Sequence, residues 1–239
     1  MLRILTCSDW HADWSTRGVD RFDDVARAVE QTVKEAVDRK VDLYAMTGDL
    51  CDPDSGSSVF RCVALALDAA RELRSRGIMS FWVAGNHDVI EDGRGRTTLE
   101  PLCSLGSCAG LTGVFEKAES FVWRSTRFLT LPYTARSCAY DPAAAAAAAV
   151  KESSELPLVV LGHLHVPGVI PGEETAEMPR GREVLFPVEQ LRGKARLMIN
   201  GHYHRRQTTP DGIEIPGSLV RLTFAEEGND PGFIVSEVA

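Results

Sequence analysis

The apolar positions of this chain come in short, strand-length runs, each ended by a polar cluster, with helical stripes between the first few. Residues 2–7 read as a buried strand. Residues 20–39 place Phe22, Val25, Val29, Val33 and Val37 on one face, the spacing of an amphipathic helix, with Asp20 as its N-cap. A second strand is expected at 42–47. A helix from Ser57 or Ser58 to about Arg76 follows, with Val59, Val63, Leu67 and Ala70 turned inward. The aromatic and β-branched run 79–84 reads as a third strand.

Past residue 90 the pattern loosens. Residues 91–98 are polar, hold two glycines, and read as a loop. Residues 120–123 and 127–131 look like paired strands stopped by Pro132. Asp141-Pro142 followed by seven alanines reads as a capped helix with Pro in its first turn. Its uniform alanines suggest a thin surface helix or spacer. Short buried strands are expected at 158–161 and 196–200, around a Pro/Gly/Glu-rich loop at 167–182. Residues 212–238 alternate like antiparallel strands parted by Pro-Gly and Gly-Asn-Asp turns. There is no internal repeat, and one domain over 1–239 is the expectation.

Composition narrows the class. The chain has 239 residues, 44% hydrophobic and 25% charged, which suits a globular domain with a sizeable core. No run has the apolar length of a membrane span, and residues 1–5 lead straight into a strand, so no membrane and a cytoplasmic location are expected. Six cysteines without a CxxC pair argue for reduced thiols rather than a disulfide framework or zinc knuckle. A formal charge of −8 disfavours a broad duplex-DNA surface, which needs many cations. It leaves room for a local anion site, because bound metal ions can dominate the field there.

The chemistry sits where the apolar runs end. Ser8-Asp9-Trp10-His11, Gly48-Asp49-Leu50-Cys51-Asp52, Gly85-Asn86-His87-Asp88, Gly162-His163-Leu164-His165 and Gly201-His202-Tyr203-His204 each follow a strand-like run. Strand tips are where open α/β sheets bind ligands. All six histidines lie in these clusters, each near a Gly, Asp or Asn. A single such histidine would be unremarkable; six of six point to metal. Asp9 and His11, two apart, would face the same side in extended chain. Imidazole and carboxylate donors without thiolates suit Mn²⁺, Fe, Ni or Zn²⁺ rather than Ca²⁺, and there are enough of them for two ions. Trp10 and Tyr203 should turn away into packing, and Cys7 and Cys51 should be buried bystanders.

In this order, Asp-x-His, Gly-Asp-x-x-Asp, Gly-Asn-His-Asp, Gly-His and Gly-His-x-His resemble the calcineurin-like metallophosphoesterase superfamily. Ser8-Asp9-Trp10-His11, with Ile215-Pro216-Gly217-Ser218 leading to Glu226-Glu227-Gly228 and Gly232-Phe233, is similar to the SbcD-type nuclease subunit of bacterial double-strand-break repair. The resemblance implies a four-layer α-β-β-α sandwich with two mixed sheets face to face. It implies two divalent ions, first of all Mn²⁺, held by Asp9, His11 and His204 on one side and by Asn86, His163 and His202 on the other, with Asp49 bridging. It implies hydrolysis by hydroxide activated at the metals, with His87 as general acid and Asp88 orienting it. His165 is open between an alternative ligand, a group supporting the ligands and a substrate contact, with support expected. Asp52 is expected to orient a ligand or cap a turn. Arg94, Arg96, Arg205 and Arg206 are candidates to hold substrate phosphates, against the plain reading of solvated charges.

Two departures bear on substrate. Ser/Thr phosphatases of the superfamily carry Asp-Arg-Gly after the second motif, whereas this chain has Asp52-Pro53-Asp54. The repair nucleases continue into a DNA-capping domain and a segment that grips an ATPase, whereas this sequence ends at Ala239, so a catalytic core alone is expected. The function expected is a phosphodiesterase acting on nucleic-acid ends or small nucleotides, with a cyclic-nucleotide phosphodiesterase as the close rival. An ATPase-coupled repair subunit and a non-catalytic scaffold are the more distant readings. The scaffold needs eroded ligand positions, and here every one is filled.

Overall fold

Alternation along the strands decides the layering. In β1 (Leu2–Cys7) the side chains of Leu2 and Ile4 enter one core cluster and those of Leu5 and Cys7 another, so both faces are covered. β4 (Leu43–Thr47) and β5 (Met79–Val83) divide in the same way: Leu43, Ala45, Phe81 and Val83 face one core, Tyr44, Met46 and Trp82 the other. Strands buried on both sides belong in the middle of a layered α/β structure. The computed structural model describes residues 1–92, 94–104, 112–153, 155–170 and 184–239.

Two mixed sheets result. The first has the order β13-β1-β4-β5-β6, with β6 at Thr112–Phe115 and β13 at Ile234–Val238; its strands are parallel except β13. The second runs β11-β12-β10-β9-β8-β7. Its parallel centre is β8 (Thr126–Leu131), β9 (Leu158–Gly162), β10 (Leu197–Asn200) and β12 (Ile213–Ile215). Antiparallel β7 (Glu119–Trp123) and β11 (Gln207–Thr208) form its edges. The sheets meet face to face through Ile4, Phe81 and Phe115 from one and Phe128, Leu161 and Ile199 from the other. The α/β sandwich expected from the sequence is thus the observed fold.

Helices close the outer faces. α1 (Phe22–Asp38) buries Val25, Val29, Thr32, Val33 and Ala36 against the first sheet. It begins two residues later than expected: Asp20 lies in a small hairpin of β2 (Ser15–Thr16) and β3 (Val19–Asp20), but its carboxylate still accepts the Phe22 N–H at 2.9 Å. α2 (Ser58–Ser75) buries Cys62, Ala66, Ala69, Ala70 and Leu73, a face set beside the expected one; Val59, Val63 and Leu67 are only half-buried. Small side chains on that face let the helix sit close to the sheet, and large ones would hold it off. α3 (Pro142–Ser153) is capped as expected, with Asp141 Oδ1 accepting the N–H groups of Ala143 and Ala144. It is not a spacer: Ala146 and Ala149 are buried, and with α4 (Val188–Leu191) it covers the second sheet.

The tail also departs from expectation. Its strands do not pair with each other: β12 joins the second sheet, while β13 crosses back to lie antiparallel to β1 in the first. The loop expected at 167–182 lies mostly outside the described residues. Among the described residues no helix is long and apolar enough to cross a membrane.

Between the sheets, Phe81 meets Phe115, Phe121, Trp123 and Phe128 with ring centroids 5.2–5.9 Å away, mostly edge-on. Phe81→Ala should therefore cost about 3–5 kcal/mol of stability, the range for a large aromatic lost from a packed core. Urea unfolding would measure it, and a loss below about 1 kcal/mol would show that the two sheets do not depend on this cluster.

Candidate metal centre

The parallel strands of both sheets end at the same place, which is why five sequence-distant clusters can meet. Asp9 follows β1, Asp49 follows β4 and Asn86 follows β5 in one sheet; His163 follows β9, and His202 and His204 follow β10 in the other. Three overlapping groups have donor atoms within 4.8 Å of one another: Asp9, His11 and His204; Asp49, His163 and His202; and His11, Asp49 and His87.

Local backbone, not strand extension, aims the side chains. Asp9, His11, Asp49 and His202 all adopt left-handed φ, at 51°, 40°, 60° and 78°. Such angles are uncommon outside glycine and cluster where a site demands them. Asp9 and His11 converge through this turn, so the extended geometry expected for them is corrected. The turn is held by the Asp9 N–H donating to Gly48 O at 2.9 Å and the Trp10 and His11 N–H groups donating to Asp49 O at 2.9 and 3.1 Å. Trp10 itself is buried in the core, as expected.

Three glycines permit the crowding, among them Gly85, where a Cβ would lie 2.2 Å from Asp49 Oδ1. A Cβ on Gly48 would lie 2.0 Å from His163 Nδ1, and one on Gly201 would lie 2.1 Å from Ser8 Oγ and 2.2 Å from Thr47 O. Gly48 also has a φ of +102°, a conformation side chains resist.

Asp49 sits at the centre. Its Oδ2 lies 3.2 Å from His163 Nε2 and 3.6 Å from His11 Nε2, and its Oδ1 accepts the His87 N–H at 2.8 Å. On one side His11 Nε2 and His204 Nε2 are 3.1 Å apart. On the other, Asn86 Oδ1 is 3.1 Å from His163 Nε2 and 2.9 Å from His202 Nδ1. Asp9 accepts the His202 N–H at 3.1 Å through Oδ1, while its buried Oδ2 has no hydrogen-bond partner among the described residues. A buried carboxylate oxygen without a donor is costly. The set of carboxylate, imidazole and amide oxygen donors fits divalent cations, which would satisfy Asp9 Oδ2 and the crowded ring nitrogens together.

The electrostatics reflect this crowding. Burial pushes Asp9 above the usual carboxylate range. Burial also pushes on Asp49, but the charges of His163 and His11 outweigh it and hold Asp49 well below that range. Burial drives His11 well down, and with the charge of His163 it takes His202 to about 3. For His163 burial acts downward too, yet Asp49 and Asp9 override it and lift it to about 9. A cation entering beside His163 must displace that proton.

Two ligand-directed hydrogen bonds fix ring orientation. His163 Nδ1 lies 2.6 Å from Thr47 O, so Nδ1 carries the proton and Nε2 faces Asp49. His204 Nδ1 lies 3.0 Å from Glu226 Oε1, which turns its Nε2 toward His11. Glu226 is buried, and its second oxygen accepts the Leu222 N–H at 2.7 Å. The sequence reading missed this role. Glu226-Glu227-Gly228 is marked only as part of a resemblance, and nothing in the pattern says that Glu226 alone of this exposed 3-10 turn is buried toward His204.

The remaining candidates fall outside the cluster. Asp88 does not orient His87. Its buried carboxylate accepts the N–H groups of Gly85, Asp49 and Leu50 and the Thr98 hydroxyl, at 2.8, 2.9, 2.8 and 2.8 Å, knitting the tips of β4 and β5 together. Burial, with the nearby Asp49 charge, raises it to about 6. The carboxylate beside His87 is Asp52, with Oδ2 at 3.8 Å from Nδ1; Asp52 Oδ1 also accepts the Asp54 N–H, the turn-capping role expected. His165 bonds through Nδ1 to the Tyr203 hydroxyl at 2.9 Å and lies in none of the donor groups. Arg96 is occupied by Asp92 at 2.6 Å, and Arg206 pairs with Asp230 at 3.4 Å, whereas Arg94 and Arg205 are exposed. Burial pushes the Cys7 thiol up to about 11, and the hydrogen-bonded neighbour Cys62, with burial, raises Cys51 as well, so neither is an activated thiolate.

The sequence model of the family described as calcineurin-like phosphoesterase matches residues 2–206. Among solved structures, a dimetal phosphatase from Danio rerio (LOC 393393) superposes with a TM-score of 0.59 at 13% identity, covering 98% of this chain and 91% of that one. Yfce, a phosphoesterase from E. coli, aligns with a TM-score of 0.44 at 11% identity over 98% of this chain and 87% of its own.

Glu226→Gln keeps the shape of the side chain but removes the charge that orients His204. Manganese titration followed calorimetrically should find one ion bound about 10–100-fold more weakly, the usual cost of losing such a partner, with the other little changed. Two sites of unaltered affinity would remove Glu226 from the centre. Asp88→Ala strands three buried N–H groups and should destabilise the fold by on the order of 3 kcal/mol, read by thermal or urea unfolding.

Proposed function

Because the chain belongs to the calcineurin-like phosphoesterase family, we propose that it is a dinuclear metal-dependent phosphodiesterase acting on nucleotide phosphodiesters, at nucleic-acid ends or in small nucleotides. The observation that carries this reading is the shared carboxylate: Asp49 lies between two donor groups, one with His11 and one with His163. Asp9, His11 and His204 would hold one ion, Asn86, His163 and His202 the other, and Asp49 both. When bound, two divalent cations, here taken as Mn²⁺, lower the pKa of water and neutralise charge on a phosphoryl group. Two carboxylates against two dications leave the centre positive, so a phosphate anion is drawn in despite the acidic chain.

The residues divide the remaining work. His87 is the proton donor to the leaving oxygen. Its side chain is 42% exposed, so it can meet a substrate, and Asp52 rather than Asp88 is the carboxylate that faces it. Its ring stands edge-on to His11, with centroids 4.9 Å apart, which keeps it beside the donor set. Asp88 acts through the backbone, holding the loops that present Asp49 and Asn86. Likeness to the SbcD-type nuclease rests on the motifs at Ser8–His11 and 215–233. The five described cysteines are free, which supports a cytoplasmic setting.

A cavity of about 450 Å³ beside His87 favours small substrates as a second reading, cyclic nucleotides among them. Asp52, Asp54, Glu91 and Asp92 line it, and so acidic a wall repels a long polyanion. The protein with Mn²⁺, tested on bis-p-nitrophenyl phosphate, cyclic nucleotides, and single- and double-stranded DNA, examines both readings. Diesters should be cleaved and duplex DNA should be the poorest substrate; preference for monoesters would overturn the assignment.

His87→Ala separates chemistry from metal binding. Turnover should fall roughly 10²- to 10⁴-fold, the range of one general acid, while elemental analysis still finds two ions. The loss should shrink for a p-nitrophenolate leaving group, which departs without a proton, and stay large for a ribose oxygen. A missing ion would instead place His87 among the ligands, where its proximity to His11 and Asp49 allows it.

A further inference from the structure

Trp14 stands at the rim beside His11, and two further side chains outside the donor set, Arg17 and Phe224, lie on the segments tied to it. The Trp14 indole stands edge-on to the His11 ring, with centroids 6.2 Å apart, and its Nε1–H donates to Leu222 O at 3.0 Å, which fixes the ring in place. Three residues on, Arg17 lays its guanidinium over the Phe224 ring, 5.2 Å from the centroid. Phe224 is 71% exposed and Trp14 36%, although large aromatic side chains are normally well covered. The β2–β3 hairpin and the tail that bear them are tied together. Thr16 Oγ1 also donates to Leu222 O, and the Arg21 guanidinium donates to Arg221 O at 2.9 Å. Phe224 lies in the same 3-10 turn as Glu226, so one short segment carries both this exposed ring and the carboxylate that orients His204.

Resting on the phosphodiesterase reading above, we propose that Trp14, Arg17 and Phe224 form a stacking platform for an unpaired nucleobase attached to the scissile phosphate. Every base offers a π face, so a rigid aromatic ridge binds bases with little regard to sequence. A planar guanidinium adds cation–π attraction and can also pair with a phosphate oxygen. A protein partner would also cover exposed aromatics. The position decides for a base: Trp14 touches a candidate ligand, and a nucleotide whose phosphate lies at the centre brings its own base to the rim. Arg17 supplies positive charge there on an otherwise acidic chain. A base paired in a duplex has no free face, so the platform selects single-stranded ends or free nucleotides.

The test uses two diesters with the same leaving group, the p-nitrophenyl ester of thymidylate and methyl p-nitrophenyl phosphate. The Mn²⁺-loaded wild type should prefer the thymidylate ester. Phe224→Ala and Arg17→Ala should each reduce that preference by about five- to a hundredfold, through KM, with metal content and methyl ester turnover unchanged. Equilibrium binding of thymidine monophosphate and of a short oligothymidylate reads the same site without hydrolysis, so the platform is judged even if the hydrolytic reading fails. Weakening in the variants for both ligands supports a free nucleotide as occupant, and weakening for the oligomer alone supports a strand end. Equal binding by wild type and both variants overturns the proposal and leaves the ridge to a protein partner.

Discussion

Everything at this site follows from one crowding problem: acceptor atoms from two sheets are brought to a point where few donors can answer them. Asp49 Oδ2 faces a histidine from each side, and Asp9 Oδ2 is buried with no partner among the described residues. In a low-dielectric interior such an arrangement is tolerable only if protons or cations fill it. The proton that Asp49 and Asp9 hold on His163 is one answer. Divalent cations are the better one, because each would answer several lone pairs at once.

The supporting structure can be understood as the means of holding that crowd together. Asp88 gathers three backbone N–H groups from two strand tips, so the loops bearing Asp49 and Asn86 cannot drift apart. The tail contributes from the opposite direction, through Glu226 on His204 and through β13 alongside β1. Among the described residues the outer helices supply none of the donor atoms, but they cover the sheets whose tips converge there.

Much of this was legible because strands buried on both faces leave continuous apolar runs, and the polar clusters that end them are conspicuous. The clusters that hold Asp9, His11, Asp49, Asn86, His163, His202 and His204 stand out on that basis, while the choice of these seven among their neighbours is what the resemblance to the calcineurin-like superfamily implies. Direction was harder. The left-handed turns at Asp9 and His11 have no periodic signature, since Asp and His occupy such conformations only when tertiary contacts hold them. Asp88 sits beside His87 in sequence yet points to backbone, and adjacency along a chain does not reveal which way a side chain turns. The α2 face was misplaced because alanine and cysteine contrast weakly with their neighbours. The separation of β12 from β13 depends on contacts some two hundred residues away, which a local pattern cannot carry.

The glycines at 48 and 201 have an implication for how such a sequence can change. Each marks a place where one additional carbon would strike a ligand ring or the hydroxyl and carbonyl beside it. A lineage drifting under selection for this site is therefore confined not only at its histidines and aspartates but at positions with no chemistry of their own. Substitution there has no gradual path, because alanine, the mildest replacement, already brings the full clash. In a survey of tolerated variation these two positions should look as inflexible as any ligand.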